Sequence, residues 1–375
     1  MTTQRIKVFH LIKSLGRGGA EMLLPETYEV HDKQKFEFQY GYFLPWKDQV
    51  AKVLTQKGAA VHCFKASNNV ALFLKFAAIA SFLKKWKADV LHCHLPWAGF
   101  VGRVAGTIAG VPVVYTEHNK QERYHGITRW LNKVTFSWQR AVIAVSQEVA
   151  DSIGINIGNK TRVYTILNGV NTNTFIRSEE EGQRIRRSLG IPERANVVGL
   201  VAVFRTQKRI DLWLASAAEI IRTLPDTHFI LVGDGPQRPM AEERVKVLGL
   251  EKVVHLVGLQ SEPRPFYSAF DVFFMTSEFE GLPIAMLEAM SMECPVVATA
   301  AGGIGEVVRN DQEGILFPVA TSAGELAAAC ISLLSDTGKR NVFASNARER
   351  VVTSFSIVQM TRQIEQVYRD LRKQA

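Results

Sequence analysis

Short apolar runs rich in β-branched residues punctuate the chain, and amphipathic helical stretches separate most of them. In the first half the runs are Ile6–Leu11, Phe36–Tyr42, Ala60–Phe64, Val90–His92, Val113–Thr116, Ala141–Ala144 and Val163–Ile166. In the second they are Val197–Val203, Thr227–Val232, Val253–Val257, Val272–Met275 and Pro295–Ala298. Strands buried on both faces read as continuous apolar runs, so the pattern predicts parallel sheets with helices on each face. Two such arrays in 375 residues predict two doubly wound, Rossmann-like α/β domains. The polar stretch Val170–Glu181, with Asn171, Asn173 and Glu179-Glu180-Glu181, marks the expected break. The expected domains are residues 1–172 and 173–355. In the last segment Ile357, Met360, Ile364, Val367 and Leu371 fall on one helical face. Residues 356–375 are therefore a terminal helix that can dock on either domain, including back on the first.

Composition narrows the class. Hydrophobic content of 47% is ordinary for a folded protein and excludes fibrous and disordered chains. No segment reads as a signal peptide, and the longest apolar stretch, Val70–Leu83, is broken by Lys75 and too short to span a bilayer. The four cysteines, Cys63, Cys93, Cys294 and Cys330, lack metal spacing and suit a reducing, cytoplasmic setting. Charge is uneven. Residues 1–172 carry 22 Lys+Arg against 11 Asp+Glu, and the remainder 23 against 25, which together give the +9 of the whole chain. A basic first half reads either as a solvated surface or as the side that meets an anionic partner.

Candidate chemistry clusters at strand ends. Gly16-Arg17-Gly18-Gly19-Ala20-Glu21 follows the first strand and opens a helix. It is either a tight turn or a place where backbone N–H groups meet a phosphate. Its spacing is not the dinucleotide fingerprint. Phe204-Arg205-Thr206-Gln207-Lys208-Arg209 follows the first strand of the second half, where cations suit a diphosphate or simply a solvated turn. Gly233-Asp234-Gly235-Pro236 reads first as turn chemistry. The strongest segment runs from Ser277 through Glu280-Gly281-Leu282-Pro283-Ile284 to Glu288-Ala289-Met290. Glu280 sits at the mouth of a turn and Glu288 about two turns on, inside an otherwise apolar helix. Each carboxylate oxygen accepts more than one donor, which suits polyhydroxyl ligands. His92-Cys93-His94 and Thr116-Glu117-His118-Asn119 end strands of the first half and are structural or line a crevice. A zinc reading of His92 and His94 lacks a third ligand with the usual spacing. No P-loop, nucleophile elbow, H-E-x-x-H or Asp-x-Asp metal pair is present, so no metal and no cofactor is expected.

With these residues in order, the chain resembles the large retaining glycosyltransferase family with the GT-B fold, family four of the carbohydrate-active enzymes. The resemblance runs over nearly the whole chain. It is carried by the Gly18-Gly19-Ala20-Glu21 turn, Asp89-Val90-Leu91-His92-Cys93-His94, Tyr115-Thr116-Glu117-His118-Asn119 and Asn168-Gly169-Val170. Farther on it is carried by Gly233-Asp234-Gly235-Pro236, the Glu280–Glu288 pair with seven residues between, Pro295–Thr299, and Gly302-Gly303 before Glu306. It implies two domains facing across a cleft and transfer of a sugar, with retention, from a nucleotide-diphosphate sugar, UDP-linked by preference. The acceptor hydroxyl would belong to a polysaccharide, glycolipid or related glycan under synthesis. The nucleotide sugar is then a substrate, not a cofactor. By the resemblance Gly18 and Gly19 meet the donor diphosphate, as do Arg205 and Lys208. Glu280 holds the donor sugar with Gly281, Leu282, Pro283 and Ile284 close by, and Glu288 holds the ribose. His94 stands beside the reacting sugar, and His118 with Asn119 near the acceptor. Many members carry arginine five residues before the lysine; that slot is Val203 here, and Arg205 is the nearest arginine.

The basic first domain favours an anionic acceptor, such as a lipid-linked glycan, and a peripheral contact with the inner membrane face. The stretch Ala71–Lys87 either touches that membrane or packs on the sheet. Two rivals remain: a nucleotide-sugar epimerase of the same shape, and a non-catalytic nucleotide-sugar-binding protein. A nucleic-acid partner is not expected, because no recognition motif accompanies the charge.

Overall fold

The structure, a computed structural model, describes residues 4–158 and 160–373 and divides into two compact units. One comprises residues 1–168 and 357–375, the other residues 169–356.

Among the described residues the first unit holds seven strands: β1 (Ile6–Ile12), β2 (Phe36–Tyr42), β3 (Ala60–Cys63), β4 (Val90–His94), β5 (Val113–Glu117), β6 (Ala141–Ala144) and β7 (Arg162–Thr165). They form one parallel sheet ordered β3-β2-β1-β4-β5-β6-β7. Strand order reverses between β1 and β4, and in open parallel sheets ligands collect beyond the carboxyl ends of the strands at that point. The register brings His10 opposite His92, Ile12 opposite His94, and His94 opposite Thr116. The helix Pro96–Ala109 seats tightly on β4 because Gly102 lacks a side chain; a Cβ there would lie 2.1 Å from Cys93 Sγ. The stretch 71–87 forms helices Asn69–Phe73 and Phe76–Trp86. In the second of these Ile79, Ala80 and Leu83 join the core, and Phe82 packs 4.7 Å from Phe9, ring to ring, so this helix packs on the sheet. The terminal helix Ile357–Arg372 belongs to this unit. Among the described residues no helix is long and apolar enough to cross a membrane.

The second unit holds β8 (Asn196–Val201), β9 (Thr227–Val232), β10 (Val254–Gly258), β11 (Val272–Met275), β12 (Val296–Thr299) and β13 (Gly314–Phe317). Its sheet is parallel and ordered β10-β9-β8-β11-β12-β13, reversing between β8 and β11. β13 corrects the sequence reading, which ended at the run Pro295–Ala298. It is a short edge strand that opens on glycine and is only half-buried after it, so it lacks the continuous apolar run of a central strand.

Candidate active site

In the second unit the segments singled out from sequence meet at the β8/β11 reversal. Arg205 to Lys208 leave the end of β8, with Thr206–Lys208 forming a short 3₁₀ turn. Arg209 follows in the left-handed region at φ 49°. The turn is tied to the chain after β11: Thr276 Oγ1 donates to Lys208 O at 2.9 Å, and Glu278 N donates to Gln207 O at 2.8 Å. These bonds bring Lys208 Nζ onto Glu280 Oε1, an ion pair whose side chains are 13% and 9% exposed. Arg205 is exposed, and Val203, in the slot where many relatives carry arginine, is half-buried. Gly233 sits at φ 133°, where a Cβ would strike Ala202 O at 1.9 Å; only glycine lets the β9 turn approach the β8 turn so closely.

Pro283 caps the helix Ile284–Ser291, whose Met286, Leu287, Ala289 and Met290 are buried. Glu288 stands half-buried on this apolar helix, and the buried Tyr267 hydroxyl donates to its Oε2 at 2.7 Å. The turn before the helix is fixed by Gly303 N donating to Gly281 O at 2.8 Å. Glu280, Gly281, Leu282, Pro283, Ile284 and Glu288 thus form one continuous rim, with Lys208 at its start.

In the first unit, Gly18 precedes the helix Gly19–Val30 in extended conformation, and no side chain caps that helix. The first turn of a helix offers N–H groups that no carbonyl four residues back can take, at the positive end of the dipole. Ala20, Leu23 and Leu24 of this helix line a cavity of about 40 Å³ together with His10, His92, His94 and His118. His94 ends β4. Leu95 follows at φ 68° and ψ 154°, a conformation that non-glycine residues seldom adopt and that stores strain beside the histidine. His94 Nε2 lies 2.9 Å from His10 Nδ1 with the two rings stacked. His10 Nε2 is buried without a partner. A bare acceptor there costs less than an unmet N–H, so the proton belongs on His10 Nδ1 and points at His94 Nε2. His94 then carries its own proton on Nδ1 and offers a donor rather than a base.

Burial lowers all four imidazoles: His94 to about 3, His118 to about 4, and His10 and His92 well below the usual range. Neighbouring histidines add to the shift at His10, His92 and His94. On distance alone His10, His92 and His94 form the three-histidine group that spacing did not show, their ligand atoms lying within 4.8 Å of one another. Yet both nitrogens of His92 are engaged, Nδ1 with Tyr368 Oη at 2.5 Å and Nε2 with Thr116 Oγ1 at 2.6 Å. The set therefore reads as hydrogen-bonded neutral imidazoles.

Sequence reasoning passed over several residues of this site. His10 hides inside an apolar strand. Tyr368 comes from the terminal helix, as does Glu365, whose Oε1 lies 2.9 Å from His31 Nδ1. Glu117 lies inside the motif Thr116-Glu117-His118-Asn119, whose pattern assigns it no role of its own. It is fully buried and holds the turn after β5. Its Oε1 accepts the backbone N–H groups of His118 and Asn119 at 3.1 and 3.3 Å. Its Oε2 accepts from Tyr115 Oη at 3.1 Å and Gln121 Nε2 at 2.6 Å. Tyr124 also bonds Oε1. Burial nonetheless raises its pKa, the bonds opposing that rise.

Comparison with known proteins gives a consistent result. The family model "Glycosyl transferases group 1" matches residues 181–350, and "Glycosyltransferase Family 4" matches residues 36–174. The chain is 27% identical to the UDP-Gal:alpha-D-GlcNAc-diphosphoundecaprenol alpha-1,3-galactosyltransferase of Escherichia coli, over 99% of this chain and 98% of that protein. It is 28% identical to the alpha-maltose-1-phosphate synthase of Mycolicibacterium smegmatis, over 80% of this chain and 84% of that protein. Among solved structures, Anabaena HepE in complex with UDP-glucose superposes with a TM-score of 0.89 at 25% identity, covering 98% of this chain and 100% of that one.

Proposed function

The chain belongs to the group 1 glycosyltransferases of the GT-B fold, and from that premise we propose that it transfers a sugar, with retention and without a metal, from a UDP-sugar to a glycan acceptor. The observation that carries the reading is the Lys208–Glu280 pair held at the β8/β11 reversal, with Glu288 on the same rim. Lys208 places a cation where a diphosphate would lie, and Arg205 offers an exposed second one. Glu280 accepts donor-sugar hydroxyls, the Gly281–Ile284 backbone lies against sugar and phosphate, and Glu288, oriented by Tyr267, accepts the ribose hydroxyls. In the first unit the start of the helix after Gly18 presents backbone N–H donors suited to an anion.

As the donor bond breaks, charge gathers on the leaving diphosphate, and fixed cations and backbone donors stabilise that charge. The acceptor hydroxyl attacks from the leaving-group face and a phosphate oxygen takes its proton. A base is then unnecessary, which agrees with His94 presenting a donor beside the reacting sugar. His118 and Asn119, held by Glu117, bind the acceptor. The Escherichia coli relative acts on a diphosphoundecaprenol-linked sugar; an acceptor of that kind, anionic and lipid-linked, suits the basic first half.

The test is a thermal-shift panel of nucleotide-diphosphate sugars. A UDP-sugar at 100 times its Kd raises stability by about 2.7 kcal/mol, and Glu288→Ala erases the shift. Equal shifts in wild type and variant would remove Glu288 from the site, and no shift with any nucleotide sugar would end the proposal.

A further inference from the structure

The helix Gly126–Thr135 is inside out. Its inward face is polar: Asn132 is 0% exposed, with Oδ1 taking 2.9 Å from Arg103 Nη2 and Nδ2 donating 2.8 Å to Gln121 Oε1. Thr135 Oγ1 accepts from Arg103 Nη1 at 2.7 Å, and Gln139 Oε1 beyond the helix accepts from Arg103 Nε at 2.8 Å. Its outward face is apolar. Ile127, Trp130 and Val134, followed by Trp138 in the next turn, are 66%, 62%, 47% and 52% exposed. Their spacing of three and four puts them in one stripe. A helix that folds with an interior polar stripe and an exterior apolar one is held by its hydrogen bonds and leaves its hydrophobic face for something else.

The surroundings indicate what that is. From residue 123 to 140 every Asp, Glu, Lys or Arg is a base: Arg123, Arg129, Lys133 and Arg140, all exposed. An apolar stripe with two tryptophans and a basic flank matches a helix lying in the headgroup layer of an anionic bilayer. The helix is also tied to the acceptor turn, since Asn132 Nδ2 reaches Glu117 Oε2 at 3.4 Å while Glu117 holds the backbone of His118 and Asn119. We propose that the helix Gly126–Thr135 with Trp138 docks this chain onto an anionic phospholipid surface, setting the acceptor turn at the membrane where a lipid-linked acceptor resides. The role of that turn rests on the proposed function; the docking itself does not. The helix Phe76–Trp86, by contrast, packs on the sheet.

Sedimentation with vesicles tests it on the whole chain, without donor or acceptor. Binding is expected to equimolar phosphatidylethanolamine and phosphatidylglycerol and to be much weaker to pure phosphatidylcholine. Trp130→Ser with Trp138→Ser, both exposed and so neutral for folding, lowers the partition constant at least about tenfold. Arg129→Glu with Lys133→Glu lowers it by roughly fivefold per charge lost, an effect that high salt removes. Failure of wild type to bind anionic vesicles, or full binding by the tryptophan pair, overturns the inference. So does a dimer in solution that the tryptophan pair dissociates while vesicle binding is absent, because the stripe would then serve a second copy. A chain that binds vesicles but transfers no sugar sinks the proposed function alone. One that glycosylates a water-soluble acceptor analogue but ignores vesicles sinks this inference alone.

Discussion

Lys208→Ala lowers kcat/KM about 10²–10³-fold, the size of effect seen when one fixed group that stabilises developing charge is removed. Because that charge develops only in the transition state, the loss falls on kcat as well as kcat/KM. Stability also drops, since Lys208 is paired with a Glu280 side chain only 9% exposed. Removing one partner of a buried pair costs about 3 kcal/mol, and solvent screening at this partly exposed lysine trims that figure. The double variant Lys208→Ala with Glu280→Ala separates the two effects. It regains most of the lost melting temperature, because no charge is left unpaired, yet it stays inactive. Steady-state kinetics and thermal melts of both variants check this. Near-normal turnover in either would remove the pair from the reaction.

Acid unfolds the first unit well before carboxylate protonation matters elsewhere. Burial holds His10, His92, His94 and His118 neutral, with folded pKa values below the unfolded 6.5. The sign follows directly. The unfolded chain binds protons first, so stability is full above about pH 6.5 and falls as pH drops toward the folded values. At pH 5 His94 and His118, with folded values of about 3 and about 4, have each cost about 2 kcal/mol, a large share of a typical 5–15, and His10 and His92, also lowered by burial, shift stability in the same direction. Thermal melts from pH 8 to 4.5 should run flat to about pH 6.5 and then fall steeply, and His92→Phe should flatten the fall. A melting temperature unchanged down to pH 5 would mean that these histidines are not sealed from water.

Much of the fold was legible because parallel strands buried on both faces leave short, β-branched apolar runs that their length sets apart from the longer amphipathic helices between them. The run Val272–Met275 is a strand with those same bounds. β13 escaped because an edge strand needs no such run. The segment from Glu280 to Glu288 stood out for a related reason: Glu288 breaks an apolar helix, and a carboxylate there demands an explanation. The histidine cluster was only half legible. His92 and His94 stand at a visible strand end, but His10 meets His92 through β1–β4 register, and Tyr368 arrives from 276 residues farther along the chain. Such pairings are long-range and leave no mark on local periodicity. The inverted helix Gly126–Thr135 is the sharpest instance. Its apolar stripe reads as a core face, and the hydrogen bonds of Asn132 and Thr135 with Arg103, Gln121 and Glu117 turn it outward.

The central claim, sugar transfer from a UDP-sugar, is tested most directly by measuring UDP release and glycosylated product together, in one reaction containing a lipid-linked diphosphate-sugar acceptor. The account predicts UDP and product in equal amounts, both dependent on the acceptor, with the new linkage keeping the donor's anomeric configuration. UDP release without product, conversion of the donor sugar in the absence of acceptor, or an inverted linkage would contradict it.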